Sequence, residues 1–124
     1  MYSDSLNDNY LSLKAQLQHL QTRLMEGNLD MREYLMLGQN LLRLWQTRLA
    51  HATGDHFPAA LENQWRSLHT EIHRELRLLN MDLMFLGRSR QPTTKQKAVG
   101  DRLNRLNKYC DKILNLDAQD TPEA

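Results

Sequence analysis

The scarcity of β-branched aliphatic residues restricts the fold of this chain more than any other feature. Its 124 residues include 24 leucines, but the only valine and isoleucines are Val99, Ile72 and Ile113. Strands are built largely from β-branched residues, and buried parallel strands need Val- and Ile-rich runs. The sequence therefore excludes a β-rich fold, disfavours an α/β nucleotide-binding fold and favours a single all-α domain, which also suits the chain length.

The leucines recur at helical spacing in four segments, which are separated near Gly27, Gly54 and Gly87. This pattern predicts helices over about residues 5–26, 30–51, 58–87 and 94–116, with Pro58 as the first residue of the third. Short loops favour antiparallel neighbours, so we expect a four-helix antiparallel bundle over residues 1–116. Residues 117–124 are acidic and lack large apolar side chains, which predicts a disordered tail.

Each predicted helix carries a seam, a row of apolar residues spaced three or four apart. The first seam is Leu6, Tyr10, Leu13, Leu17, Leu20 and Leu24. The second is Met31, Leu35, Gly38, Leu42, Trp45 and Leu49, with a parallel row of Tyr34, Leu37, Leu41 and Leu44. The third is Leu61, Trp65, Leu68, Ile72, Leu76, Leu79, Leu83 and Leu86, and the fourth is Val99, Leu103, Leu106, Cys110 and Ile113. Within the second seam, the missing side chain of Gly38 would let another helix approach closely.

Cysteine usage and the absence of targeting signals indicate a cytoplasmic protein. Cys110 is the only cysteine, so no internal disulfide can form, which suits a reducing compartment. The first ten residues lack the basic start and apolar stretch of a signal peptide. No segment approaches the roughly 18 apolar residues of a membrane span.

Residue patterns typical of enzymes are weak. His69 and His73 lie one helical turn apart, but zinc needs a third ligand, and we expect both to line the polar flank of the third helix. Cys110 occupies a seam position, where a small buried side chain is the ordinary use. Phosphate-binding glycine loops and serine-nucleophile motifs are also lacking. We therefore predict no enzymatic activity, no metal and no cofactor.

The end of the third helix is apolar on nearly every side. Besides its seam residues it carries Leu78, Met81, Met84 and Phe85, so either neighbouring helices cover it or a partner does. Asp82 lies within this apolar stretch and needs a partner of opposite charge. In an antiparallel pair, position 82 lies opposite about position 103, which predicts an ion pair between Asp82 and Arg102.

Charge is distributed unevenly, although the chain as a whole carries only +1. Residues 88–112 hold eight Lys or Arg against two Asp, whereas residues 1–65 hold five against seven Asp or Glu. A basic helix over 94–112 could bind nucleic acid, but Lys97, Arg105, Lys108 and Lys112 form the face opposite the seam, which is typical of a solvated surface. An acidic protein partner would be attracted equally well.

Four motifs fall within residues 75–114: R-L-L-x-M-D-x-M-F-L (residues 77–86), R-Q-P-x-T (90–94), D-R-L (101–103) and Y-C-D-x-I-L (109–114). Together they resemble the signature of the cyanobacterial PatD family, whose members control heterocyst frequency. The range 75–114 covers about a third of the chain. The resemblance implies a non-enzymatic, cytoplasmic helical protein that binds the division protein FtsZ, favours its assembly and links division to heterocyst frequency.

These features together locate the expected contact surface at the turn between the third and fourth helices. The residues that we expect to bind the partner are Met84, Phe85, Arg88, Arg90, Gln91 and Lys95. A nucleic-acid-binding regulator would instead show binding that falls steeply with salt. A self-associating structural protein, a homodimer for example, would use the apolar stretch 78–86 between copies.

Overall fold

A computed structural model describes residues 2–27, 31–86 and 92–120 of the chain, with the side chains of 6–27, 31–86 and 96–116. Across these ranges the chain forms helices and no strand, as predicted from its leucines. The helices are α1 (Tyr2–Glu26), α2 (Met31–Leu44), α3 (Ala59–Leu86) and α4 (Pro92–Asp120). In this part of the chain, no helix is both long enough and apolar enough to cross a membrane.

The ends of the helices differ from the predicted ends by a few residues. α4 continues to Asp120, four residues into the segment predicted to be a disordered tail, and Ala118 and Gln119 in this extension are good helix formers. The remainder of that tail, 121–124, lies outside the described residues, as does the predicted helix stop at Gly87. Pro58 lies one residue before α3, and its carbonyl accepts the N–H of Glu62 at 2.9 Å.

The predicted helix over 30–51 is an α-helix only as far as Leu44. Trp45–Leu49 form a π-helical segment that continues α2, and the N–H of Ala50 donates to the carbonyl of Trp45, five residues earlier, at 2.7 Å. A π turn accommodates one more residue than an α turn. Both Trp45 and Leu49 stay buried in this wider turn.

Neighbouring helices run in opposite directions around the bundle. α3 packs against α4 and α2, and α1 packs against α4 and α2, so α1 lies diagonally opposite α3. Polar contacts establish the direction of the α1–α4 pair. Lys14 on α1 bonds Asp111 on α4. Gln21, seven residues after Lys14, bonds Asn104, seven residues before Asp111, so the two helices are antiparallel. The expected antiparallel bundle is confirmed.

The seams form the core. Every seam residue of α1 and α4 is buried, and so are six of the eight on α3. On α2 the parallel row is buried more deeply than the predicted seam, since Tyr34, Leu41 and Leu44 are buried whereas Leu35 and Leu42 are only partly so. α2 packs between α1 and α3, so the wider apolar face serves both neighbours.

Two glycines have the roles expected of them. Gly27 ends α1 with φ +74°, a left-handed conformation that side chains disfavour. At Gly38 a Cβ atom would lie 2.8 Å from Leu83 Cδ1 and 2.9 Å from Asn80 Oδ1. The absence of a side chain at Gly38 therefore allows α2 and α3 to approach closely.

Candidate functional site

The outward surface of α3 changes from polar to apolar along its length. In the first half it carries the exposed residues Arg66, Ser67 and Thr70. In the second half it carries Met81, Met84 and Phe85, which are 51%, 53% and 49% exposed, and the partly buried Leu78. We call these last four residues the distal face. The other helices of the bundle do not cover these apolar side chains.

Two of the six residues expected to contact a partner, Met84 and Phe85, belong to the distal face. Arg88, Arg90 and Gln91 lie outside the described residues. Lys95 lies in the first turn of α4, and its side chain is likewise outside the described part. Met81, which the prediction did not include among the contact residues, is as exposed as Met84.

An ion cluster joins the distal half of α3 to α4. Arg102 Nε lies 2.8 Å from Asp82 Oδ2, so the structure brings together the two residues of the predicted ion pair. The same guanidinium group also bonds Glu75, and Arg105 Nη1 lies 2.9 Å from the other oxygen of that carboxylate. Two acidic residues on α3 thus share two arginines on α4.

Glu75 is the centre of this cluster, although sequence reasoning did not single it out. Its side chain is 4% exposed. Burial alone would raise the pKa of Glu75, but hydrogen bonds from Arg105 and Arg102 outweigh burial and hold the pKa below its usual value. The carboxylate is therefore charged at neutral pH, and its paired arginines fix the register of α3 against α4 beside the distal face.

The spacing of Glu75 and Arg105 could have revealed their roles. Glu75 precedes Asp82 by one heptad, so both carboxylates lie on one edge of α3, and Arg105 follows Arg102 by three residues on α4. The prediction placed Arg105 on a solvated face, and its side chain is 48% exposed, but the prediction did not include its ion pair with Glu75. A long arginine side chain at the edge of a seam can reach across to the neighbouring helix.

A second polar cluster lies inside the bundle, in the first half of α3. Trp65 Nε1–H donates to the hydroxyl oxygen of Tyr10 at 3.0 Å, and that hydroxyl also bonds His69 Nδ1. His69 also bonds the backbone of Leu49, in the π segment. A neutral imidazole that donates Nε2–H to this backbone accepts the Tyr10 hydroxyl proton on Nδ1.

His69 lies between two tryptophan rings. Its ring centroid is 4.4 Å from that of Trp45 and 4.5 Å from that of Trp65. Burial, with a smaller contribution from nearby His73, lowers the pKa of His69 to about 4. Burial likewise raises the pKa of Tyr10. The cluster is therefore uncharged at neutral pH.

The expectation that both histidines line a polar flank is wrong for His69. Position 69 lies four residues after the buried Trp65 and three before the buried Ile72, and the His69 side chain is partly buried between helices. His73 is exposed, but its ring stacks on Trp45 with centroids 5.3 Å apart. Within the described ranges, no group of three His, Cys, Asp or Glu residues could hold a metal ion.

Cys110 is a core residue of α4. It is fully buried, and burial raises the pKa of its thiol to about 12. Thiolate is the nucleophilic form of cysteine, so the buried thiol is protonated and unreactive at neutral pH. The side chain packs as a small apolar group, in keeping with its place in the fourth seam.

A pocket of about 640 Å³ opens at the other end of the bundle, between the start of α1 and the loop after the π segment. Arg48 and Asp55, of opposite charge, are among the residues that line it. The loop precedes α3, whereas the distal face lies near the end of that helix. At 1.5 Å per residue, the two features are about 30 Å apart along the helix axis.

No protein-family model matches the chain, and no curated protein or solved structure is significantly similar to it.

Proposed function

We propose that this chain is a non-enzymatic interaction module that binds FtsZ through the distal face and favours FtsZ assembly. The observation that carries the proposal is the distal face itself, with Met81, Met84 and Phe85 each about half exposed on one helix. Scattered exposed apolar residues are ordinary, but a cluster of large ones indicates an interaction surface.

The identity of the partner rests on the PatD-like motifs in residues 77–114. The first of these motifs contains the whole distal face together with Asp82, and the D-R-L motif contains Arg102. The similar residues thus include both the exposed side chains and the ion pair beside them. FtsZ is a cytoplasmic protein, so the proposal also assigns this chain to the cytoplasm.

The nucleic-acid alternative is weakened by contacts that occupy part of the basic helix. Arg102 and Arg105 are paired with Asp82 and Glu75, which neutralise them within the chain. Lys97, Lys108 and Lys112 remain exposed on α4. A phosphate backbone is bound through several cationic side chains at once. The pairing of two arginines of α4 within the chain therefore lowers the expected affinity for nucleic acid.

Co-sedimentation with FtsZ polymers tests the proposal. The wild-type protein should pellet with the polymers, and a Met84→Lys/Phe85→Lys variant should lose most of this binding. Full burial of a large apolar side chain contributes about 1.5–3 kcal/mol, so two half-exposed ones should contribute roughly 2 kcal/mol, or about 30-fold in affinity. An Arg88→Glu/Arg90→Glu variant tests the basic residues that follow in the sequence.

The matched control is Leu11→Lys. Leu11 is 50% exposed on α1, diagonally opposite α3, so it offers a comparable exposed apolar side chain on another face. This variant should pellet like the wild-type protein. Absence of wild-type pelleting, or equal pelleting of all the variants, would reject the proposal.

A further inference from the structure

The outward side of α3 has the spacing of a helix-packing seam. Arg74, Leu78, Met81 and Phe85 follow one another at steps of four, three and four residues, and Arg77 and Met84 flank them. The seams of α1 and α4, which do pack against neighbouring helices, use the same steps. A row of this kind accepts the side chains of another helix in the gaps between its own. The shape of the surface therefore suits a helical occupant.

The exposed charge beside this row is positive. Arg77 and Arg74 are exposed, and Arg74 Nη1 lies 3.3 Å from Glu71 Oε2 on the same helix. Over residues 71–86 the carboxylates are Glu71, Glu75 and Asp82, and each is paired with an arginine. The side chain of Glu71 is 39% exposed beside Arg74, whereas those of Glu75 and Asp82 are 4% and 20% exposed and face α4. An incoming segment thus meets cationic and apolar groups, while the negative charge of this stretch is already neutralised.

We propose that the distal face, with Arg74 and Arg77, binds an acidic amphipathic helix of a partner protein. This inference rests on the proposed function, since it specifies the chemistry of the segment through which the partner docks. The apolar side of that helix packs on Met81, Met84 and Phe85, and its carboxylates lie beside the two arginines. Methionine side chains adapt their shape to an apolar partner, which suits the two that the face contains.

The dimensions of the surface set the length of the occupant. Residues 74–85 span eleven helical steps, or about 16 Å. A partner helix of three to four turns, about 14 residues, covers this length.

The charge of the chain disfavours a second copy as the occupant. Residues 74–112 contain ten Lys or Arg against four Asp or Glu. Pairing this surface with itself would bring two such regions together, and like charges that face each other across an interface oppose association.

Designed peptides test the inference without FtsZ. One labelled peptide of about 14 residues carries leucines at seam spacing and glutamates elsewhere, and a second replaces every glutamate with lysine. Fluorescence anisotropy against the full chain should show at least about tenfold tighter binding of the glutamate peptide, weakening as NaCl rises from about 50 to 500 mM. Equal binding of the two peptides, or no binding of either below about 1 mM, overturns the inference.

A charge-reversal variant locates the binding on α3. Arg77→Glu should weaken the binding of the glutamate peptide about 5- to 10-fold and strengthen the binding of the lysine peptide. Arg66→Glu is the matched control, because Arg66 is exposed in the polar half of the same helix. This control should leave both affinities unchanged. An equal effect of the two substitutions overturns the assignment to the distal face.

Two further measurements identify other occupants. A dimer in analytical ultracentrifugation that Met81→Lys dissociates would show that a second copy covers the face. Binding to phosphatidylglycerol vesicles but to neither peptide would identify a membrane surface. Either result overturns the inference.

The peptide and FtsZ experiments can fail separately. Glutamate-peptide binding without FtsZ pelleting supports the inferred chemistry and rejects FtsZ as the partner. FtsZ pelleting without peptide binding supports FtsZ as the partner and rejects the inferred acidic helix.

Discussion

The two halves of α3 differ in where their polar and large apolar side chains lie. In the first half, Trp65 and the partly buried His69 complete an uncharged hydrogen-bonded cluster with Tyr10 of α1. In the second half, Glu75 and Asp82 form a charged cluster at the edge facing α4, and large apolar side chains point outward. Folding accounts for the first arrangement completely, but it does not account for the exposed methionines and phenylalanine.

This difference teaches where to look for function in a small bundle. Buried polar groups stabilise the fold only when they are paired, and every member of the Tyr10–Trp65–His69 cluster is paired. The distal face has no such internal role. Substitutions in the first half should therefore reduce stability, whereas those on the distal face should reduce binding.

Tyr10→Phe should cause the largest loss of stability among the changes considered. It leaves the indole N–H of Trp65 and Nδ1 of His69 without their partner inside the bundle. An unsatisfied buried polar group costs about 1–3 kcal/mol, so we expect a loss of about 2–3 kcal/mol in urea unfolding. Tyr109→Phe, at a partly buried tyrosine on α4, is the control and should cost much less. Equal losses would mean that the cluster does not stabilise the bundle.

Glu75→Gln should have the next largest effect. The substitution removes the charge that two arginines share, and hydrogen bonds between charged groups contribute about 1.5–3 kcal/mol. Because the arginines remain partly exposed, we expect a loss of about 1–2 kcal/mol in the same unfolding measurement. Glu71→Gln removes an exposed ion pair with Arg74 on the same helix and should cost below about 0.5 kcal/mol. A similar cost for both would contradict the role assigned to Glu75.

As the pH falls, the cluster in the first half of α3 should lose its contribution to stability before the cluster in the second half does. The pKa of His69 is about 4 in the folded chain, below its ordinary value of 6.5, so the unfolded chain binds the proton more readily. This contribution to stability is fully present above pH 6.5 and is lost as the pH falls towards 4. With allowance for the partial exposure of His69, the loss should be about 1 kcal/mol.

Urea midpoints measured across this pH range check the prediction. His73→Gln should retain the fall in stability, and His69→Gln should remove it. The lowered pKa of Glu75 adds a further loss of stability only at more acidic pH, below its ordinary value of 4.5. If the stability of His69→Gln still falls over this pH range, groups other than His69 cause the fall.

Phe85→Lys should have the smallest effect on stability. Phe85 is 49% exposed, and substitutions at exposed positions usually change the free energy of unfolding by less than about 0.5 kcal/mol. Thermal unfolding of this variant should match that of the wild-type protein within this range. A loss of about 2 kcal/mol would mean that the phenylalanine belongs to the core, and the contrast between the two halves would then fail.

Periodicity in the sequence predicted the helices and most of the core, because seams such as Leu13, Leu17 and Leu20 depend only on local spacing. The Asp82–Arg102 contact could also be predicted, since an acid within an apolar stretch demands a partner and the antiparallel turn sets the register. Burial of His69 depends on Tyr10, some sixty residues away, and spacing within one helix cannot reveal such a contact. The π segment was missed because its residues fit an α-helical pattern equally well.

Methionine methyl NMR tests the central claim most directly. The six methionines include Met81 and Met84 on the distal face, and Met25 and Met36, 83% and 53% exposed, on α1 and α2. In a titration of the methyl-labelled full chain with unlabelled FtsZ, the signals of Met81 and Met84 should shift or broaden, while those of Met25 and Met36 stay unchanged. Changes at Met25 and Met36 without changes at Met81 and Met84 would contradict the account.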